Sequence, residues 1–171
     1  MSGWFGQRRP LTAIEISHIT FNMNKMYLHI ALKTGFAQVS QIKNVRDMIL
    51  RGVDITLKQT EVFESMFREE QLNFPTSWES TVTNSTVPPF SEKLMMYMVQ
   101  LSTQAAIAFY GASVSTTNRR DLGTHYLRLI PELIKYGEDC MNIMIDHGWM
   151  EKPPSATDRK ALAKEKKQNS D

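Results

Sequence analysis

Leu94–Asn118, LMMYMVQLSTQAAIAFYGASVSTTN, contains no Asp, Glu, Lys, Arg or His. Helix formers and small residues fill its front, and a polar tail closes it. A helix without charge has no ordinary solvated face, so most of it is expected to be buried by its own chain or by a partner. Its inward stripe reads as Leu94, Met98, Leu101, Ala105, Ala108 and Ala112, whose alanines allow close helix approach. Opposite stands a second apolar stripe, Met96, Val99, Thr103, Ile107, Tyr110 and Val114, poorly suited to water. Either the chain's own long loop covers it, or the helix meets its copy in a two-fold homodimer. On the second reading those six residues form the interface.

The stretch is long enough to raise a membrane span, but Gln100, Ser102, Thr103, Gln104 and Tyr110 interrupt it, so no membrane segment is expected. The N-terminus, MSGWFGQRRP, has Arg8 and Arg9 but no following apolar run, unlike a secretory signal.

Outward from this segment, helical periodicity dominates. Thr12 and Glu15 form a Thr-x-x-Glu capping box that opens a first helix, with Ile16, Ile19, Met23, Met26 and Ile30 along it and Gly35 as the expected stop. A second helix is predicted over residues 40–70. Its apolar stripe includes Ile42, Val45, Ile49, Ile55, Phe63 and Met66, and its opposite face alternates in sign through Lys43, Asp47, Arg51, Asp54, Lys58, Glu61 and Arg68. That face reads as solvated and supported by i,i+4 pairs. Residues 73–90, NFPTSWESTVTNSTVPPF, form a long loop that Phe74, Trp78 and Phe90 are expected to pin to the body.

Ser91 caps the third helix. A short turn leads to a fourth, from Asp121 to about His147, ended by Gly148 and interrupted by Pro131. Its core stripe is Leu122, Tyr126, Leu129, Leu133, Gly137, Cys140 and Met144. Four helices with a long middle connection give an all-α, antiparallel four-helix bundle over residues 11–150. Residues 1–10 read as an N-terminal extension, and 151–171 as a flexible, Pro-containing, basic tail.

The tail carries Lys152, Arg159, Lys160, Lys164, Lys166 and Lys167 against Asp158, Glu165 and Asp171, more than the whole formal charge of +2. The remainder is slightly acidic, which is no footprint for nucleic acid. A single cysteine, Cys140, excludes an internal disulfide, favours a reduced cytoplasm and reads as a buried structural thiol.

Bundles of this size often house two metals on inward carboxylates and Glu-x-x-His pairs. The chain has one such tetrad, Glu15-Ile16-Ser17-His18, but Glu15 is already employed in the capping box. No histidine lies between His29 and His125, and the third helix supplies no carboxylate from Lys93 to Arg120. His29 and His125 would meet if the end of helix one were level with the start of helix four; two histidines alone make a weak site. No phosphate-binding glycine loop and no nucleophilic triad is present. No catalytic, metal or cofactor residue is assigned.

Four segments carry a family resemblance: Leu-Thr-Ala-Ile-Glu-Ile-Ser at 11–17, Val-Pro-Pro-Phe-Ser at 87–91, Ser115 to Asp121 with Arg119 and Arg120, and Asp-His-Gly-Trp-Met-Glu-Lys-Pro-Pro at 146–154. Together they resemble an uncharacterised ferritin-like family of endospore-forming bacteria, related to spore coat proteins. The resemblance spans roughly residues 10–155, with Lys152 where the family has Arg. It implies a ferritin-like bundle without established catalytic activity, often present as two bundles in tandem, which a homodimer of this single bundle would imitate. The expected function is that of a non-enzymatic, self-associating structural protein, made in the cytoplasm and destined for the spore coat, with other coat proteins as further partners. The alternatives are a ferritin-like metal oxidase with a degenerate site at Glu15, His18 or the His29/His125 pair, and a bundle binding a small apolar ligand between Met-rich helices.

Overall fold

The computed structural model describes residues 9–168. Four long helices, α1 (Ala13–Val39), α2 (Lys43–Glu69), α3 (Glu92–Thr116) and α4 (Arg120–Asp146), are followed by a short α5 (Arg159–Gln168). Residues 1–8 of the expected extension and 169–171 of the tail lie outside the described residues.

Local chemistry explains most of the helix ends. The Glu15 N–H donates to the Thr12 hydroxyl, and the Thr12 N–H donates to the Glu15 carboxylate at 2.9 Å, closing the capping box. α1 does not stop at Gly35. It continues to Val39, and Gly35 instead presents a flat spot beneath Val82 of the crossover. α2 starts at Lys43 without a side-chain cap of its own. The Glu92 carboxylate, from the start of α3, accepts the Gln41 and Ile42 N–H groups and the Ser40 hydroxyl. Gly148 ends α4 in the left-handed region (φ 67°), with the Trp149 N–H donating back to the Met144 carbonyl at 2.8 Å. Gln71 ends α2 the same way (φ 58°), although glycine is the residue usually found there.

Polar contacts set the topology. Asn22 meets Ser113, and Ser40 meets Glu92, so α1 and α3 are antiparallel. Arg51 pairs with Asp139 and Lys58 with Glu132, so α2 and α4 are antiparallel. α1 packs on α2 and α3, and α4 packs on α3 and α2. The diagonal helices α1 and α4 therefore run parallel, with Glu15 level with Arg119 and Asn22 with Tyr126. α2 ends at the opposite pole from the start of α3, so the connection must climb the whole bundle. Its 3-10 turn, Glu79–Thr81, rests on α1, and the Gln38 amide donates to the carbonyls of Thr83 and Ser85. Phe90 meets Phe36 edge-on and Phe74 lies under the Arg68 guanidinium, but both stay partly exposed, as does Trp78. Two charged residues expected to pair along α2, Arg51 and Lys58, instead cross to α4.

The core is one cluster, centred on Phe63, Tyr110 and Tyr126, whose rings lie 5.0–5.8 Å apart. The whole expected stripe of α4 is buried, and Pro131 sits on its exposed side within a continuous helix. Tyr136 reaches across to donate to the Met48 carbonyl, and a Cβ on Gly52 would lie 2.1 Å from its hydroxyl oxygen. Gly52→Ala should therefore cost about 1–3 kcal/mol of stability by overpacking, read by urea denaturation; an unchanged midpoint would show that Tyr136 moves aside freely.

On α3 the two apolar stripes are exchanged relative to the expectation. Met96, Val99, Thr103 and Tyr110 are buried in the chain's own core, and Ile107 and Val114 pack against it. These six residues do not form an outer surface. The expected inward residues Leu94, Leu101, Ala108 and Ala112 are exposed, with Met98 and Ala105 at the margin. The reason is packing capacity: Tyr110 fills the space between Phe63 and Tyr126, which no alanine could fill.

Candidate functional site

The bundle interior, where a helical metalloprotein would hold its ligands, is crossed by polar rungs. At the pole where α1 begins, Glu15 is 1% exposed and saturated with donors. Arg9 grips both its oxygens at 2.8 and 2.9 Å. The Thr12, Asn118 and Arg119 N–H groups also donate to it. The Arg9 guanidinium, opposed by burial but reinforced by these N–H groups, holds its carboxyl far below the usual range. Buried Arg119 joins Glu70 and Asp121 beside it, tying the end of α2 to the α3–α4 turn.

His18 does not partner Glu15. Its Nδ1 lies 3.3 Å from the Ser113 hydroxyl, which also accepts a hydrogen bond from the Asn22 amide. The same amide donates to Tyr126 Oη. One level on, the Tyr110 hydroxyl donates to Gln59 Oε1 at 3.0 Å, and the Gln59 amide reaches Glu132. Each rung joins three helices, the first through neutral groups and the second ending on the Glu132 carboxylate, which also pairs with Lys58.

The next rung contains an unexpected charge. Lys33 is 4% exposed; its ammonium donates to Thr56 Oγ1 at 3.0 Å and the Gly52 carbonyl at 3.4 Å, and lies 5.6 Å from the centre of the Tyr136 ring. Burial pulls its pKa down to about 8, while the nearby Cys140 thiol opposes the shift; burial in turn pushes Cys140 up to about 11. The latter is the behaviour of an inert structural thiol, as expected. Gln100 approaches this level from α3, beside Gly137, and its buried Oε1 has no hydrogen-bond partner among the described residues. Lys33, Asn22, Gln59 and Gln100 escaped the sequence reading. A signal existed for Lys33, which continues the apolar spacing Met23, Met26, Ile30.

These residues do not fit the iron that a ferritin-like fold suggests. Among the described residues no group of three or more His, Cys, Asp or Glu lies close enough to hold a metal ion. Glu15 is consumed by Arg9 and by N–H groups, and the Lys33 ammonium sits in the interior already. Because α1 and α4 run parallel, the end of α1 is not level with the start of α4. His29 lies roughly 10 Å further along the bundle than His125, so they do not form a pair. Burial, with Lys33 and Lys25 nearby, holds His29 down to about 4 and therefore neutral at physiological pH.

Two surface features among the described residues bear on the expected ligand and partner. An apolar groove of about 500 Å³ lies between α1 and the crossover, lined by Leu28, Leu32, Phe36, Val82 and Val87. It is not between Met-rich helices, where Met23, Met95 and Met96 are fully buried. The second is the exposed, charge-free stripe of α3. No helix among the described residues is long and apolar enough to cross a membrane.

A solved structure from Bacillus halodurans C-125, named a "putative spore coat protein", has a TM-score of 0.77 to this fold at 11% identity, covering 88% of this chain and 98% of its own. At that identity the likeness shows the fold alone. No curated protein matches the sequence. Residues 1–162 match the family described as "Protein of unknown function (DUF3231)", and on that coverage the chain belongs to the DUF3231 family.

Proposed function

We propose that this protein is a non-catalytic structural bundle that self-associates, a building block of the spore-coat type. The observation that carries the reading is the bundle interior, where Glu15, Asn22, Lys33, Gln59 and Tyr110 occupy the volume that a helical metalloenzyme reserves for ligands. All five carry polar or charged groups bonded to other parts of the chain, with Tyr110 donating to Gln59. Such an interior favours rigidity over exchange with a substrate. The fold shared with the Bacillus halodurans protein supports the coat setting by analogy.

The reading is tested by fractionating spores of the source organism with an antibody to this chain, and by calorimetric titration of the purified protein with Fe²⁺ and Zn²⁺. Co-extraction with the coat and no stoichiometric metal uptake are expected. Uptake of one or two equivalents of metal, or absence from the spore, would overturn it. The groove between α1 and the crossover favours a second reading, binding of a small apolar ligand. Val82→Trp should then abolish binding of an environment-sensitive apolar dye without changing the folded state.

A further inference from the structure

We propose that the outer stripe of α3 docks a second copy of this chain, with the two α3 helices antiparallel about a two-fold axis at Gln104. This rests on the self-associating reading above and names its surface. Residues 94, 97, 101, 104, 108, 111 and 115 are all exposed and follow one another at alternating spacings of three and four, the pattern of a helix–helix seam. None is charged.

The stripe is also graded in size. Leu94, Tyr97 and Leu101 occupy its first half at 42–52% exposure, and Ala108, Gly111 and Ser115 occupy the second. Reversed upon itself about Gln104, the stripe sets Leu101 against Ala108, Tyr97 against Gly111 and Leu94 against Ser115, so large meets small at every level on either side of the central Gln104 pair. A parallel pairing would set leucine on leucine at one end and alanine on alanine at the other, splaying the helices, because interaxial distance follows side-chain size. A pattern that is its own complement when reversed fits an isologous contact with a second copy.

Gly111 is an independent observation. Glycine is the poorest helix former after proline, yet Gly111 lies within α3. A Cβ there would meet nothing within 4 Å among the described residues, so no contact among them calls for glycine. An opposing Tyr97 ring does.

The area is adequate. Beside the stripe, Phe21 of α1 packs edge-on against Phe109, with the Lys25 ammonium over both rings, extending the surface across two helices. With α3 about 37 Å long and two helices about 20 Å wide, the face offers roughly 750 Å², close to the ~800 Å² each partner buries in a standard interface.

The test uses the full chain. Gln104→Cys should form a disulfide-linked dimer under mild oxidation with oxidised glutathione, since the two sulfurs would sit at the axis. Leu94→Cys, also exposed but about 15 Å from the axis, should not. Cys140 is fully buried and gives no background. By sedimentation velocity the native protein should be a dimer, and Gly111→Glu should weaken dimerisation at least 100-fold with an unchanged circular dichroism spectrum. A native protein that is monomeric at about 100 μM would overturn both this interface and self-association. A native oligomer that is insensitive to Gly111→Glu, or in which Leu94→Cys crosslinks as readily as Gln104→Cys, would overturn this interface alone.

Discussion

Glu15→Gln is expected to lower the unfolding free energy by about 2–3 kcal/mol, the usual result of taking away a buried charged acceptor and leaving its donors unsatisfied. Glutamine keeps the shape, but its amide nitrogen must face Arg9 or the Asn118 and Arg119 N–H groups, all of them donors. The damage spreads because Glu15 joins three segments: the approach to α1, the capping box, and the α3–α4 turn that Arg119 ties to the end of α2. Its effect on pH dependence has a definite sign. The folded carboxyl titrates below its ordinary value, so its stabilisation is fully present above about pH 5 and is lost as pH falls through the acid range. Urea denaturation of both proteins from pH 7 to pH 3 should show the difference shrinking with acidity. A constant difference would mean that Glu15 acts through shape and not through charge.

Lys33→Met is expected to act in the opposite direction, raising stability at pH 7 by about 2–3 kcal/mol. Burial depresses the lysine's pKa from 10.5 to about 8, a difference equivalent to roughly 3 kcal/mol. A well-packed apolar replacement of a buried charge is commonly stabilising. Thr56 keeps its own bond to the Gly52 carbonyl at 2.7 Å, so the substitution leaves no orphaned hydroxyl. The unfolded chain holds the proton up to about pH 10.5 and the folded chain only to about pH 8, so native stability should climb with pH across that window. The Lys33→Met protein should lack this rise. If the variant is less stable at pH 7, the hydrogen bonds of the ammonium outweigh its desolvation, and Lys33 is a structural keystone.

How much was legible beforehand differs helix by helix. The α4 stripe from Leu122 to Met144 was readable because charge separates its faces: Arg128, Lys135 and Glu138 are exposed while Leu129, Leu133 and Cys140 are buried. The capping box at Thr12 and the stop at Gly148 were readable because both depend on the chemistry of a few neighbouring residues. α3 was not. Without charge on either face, periodicity marks two stripes without ranking them, and only the shape of the space between Phe63 and Tyr126 selects Tyr110 for the interior. The exchange also moves the candidate interface, from Ile107 and Val114 to Leu101, Gln104 and Gly111.

The sequence by itself determined that this chain makes four long helices with a crossover between the second and third, because spacing, caps and glycine placement act over a turn or two. Tertiary structure alone decided that α1 and α4 run parallel, which separates His29 from His125. It alone decided that Lys33 lies inside and that the charge-free helix turns its alanines outward. Those outcomes depend on how volumes and hydrogen bonds from four helices fit together, and no single helix carries that information.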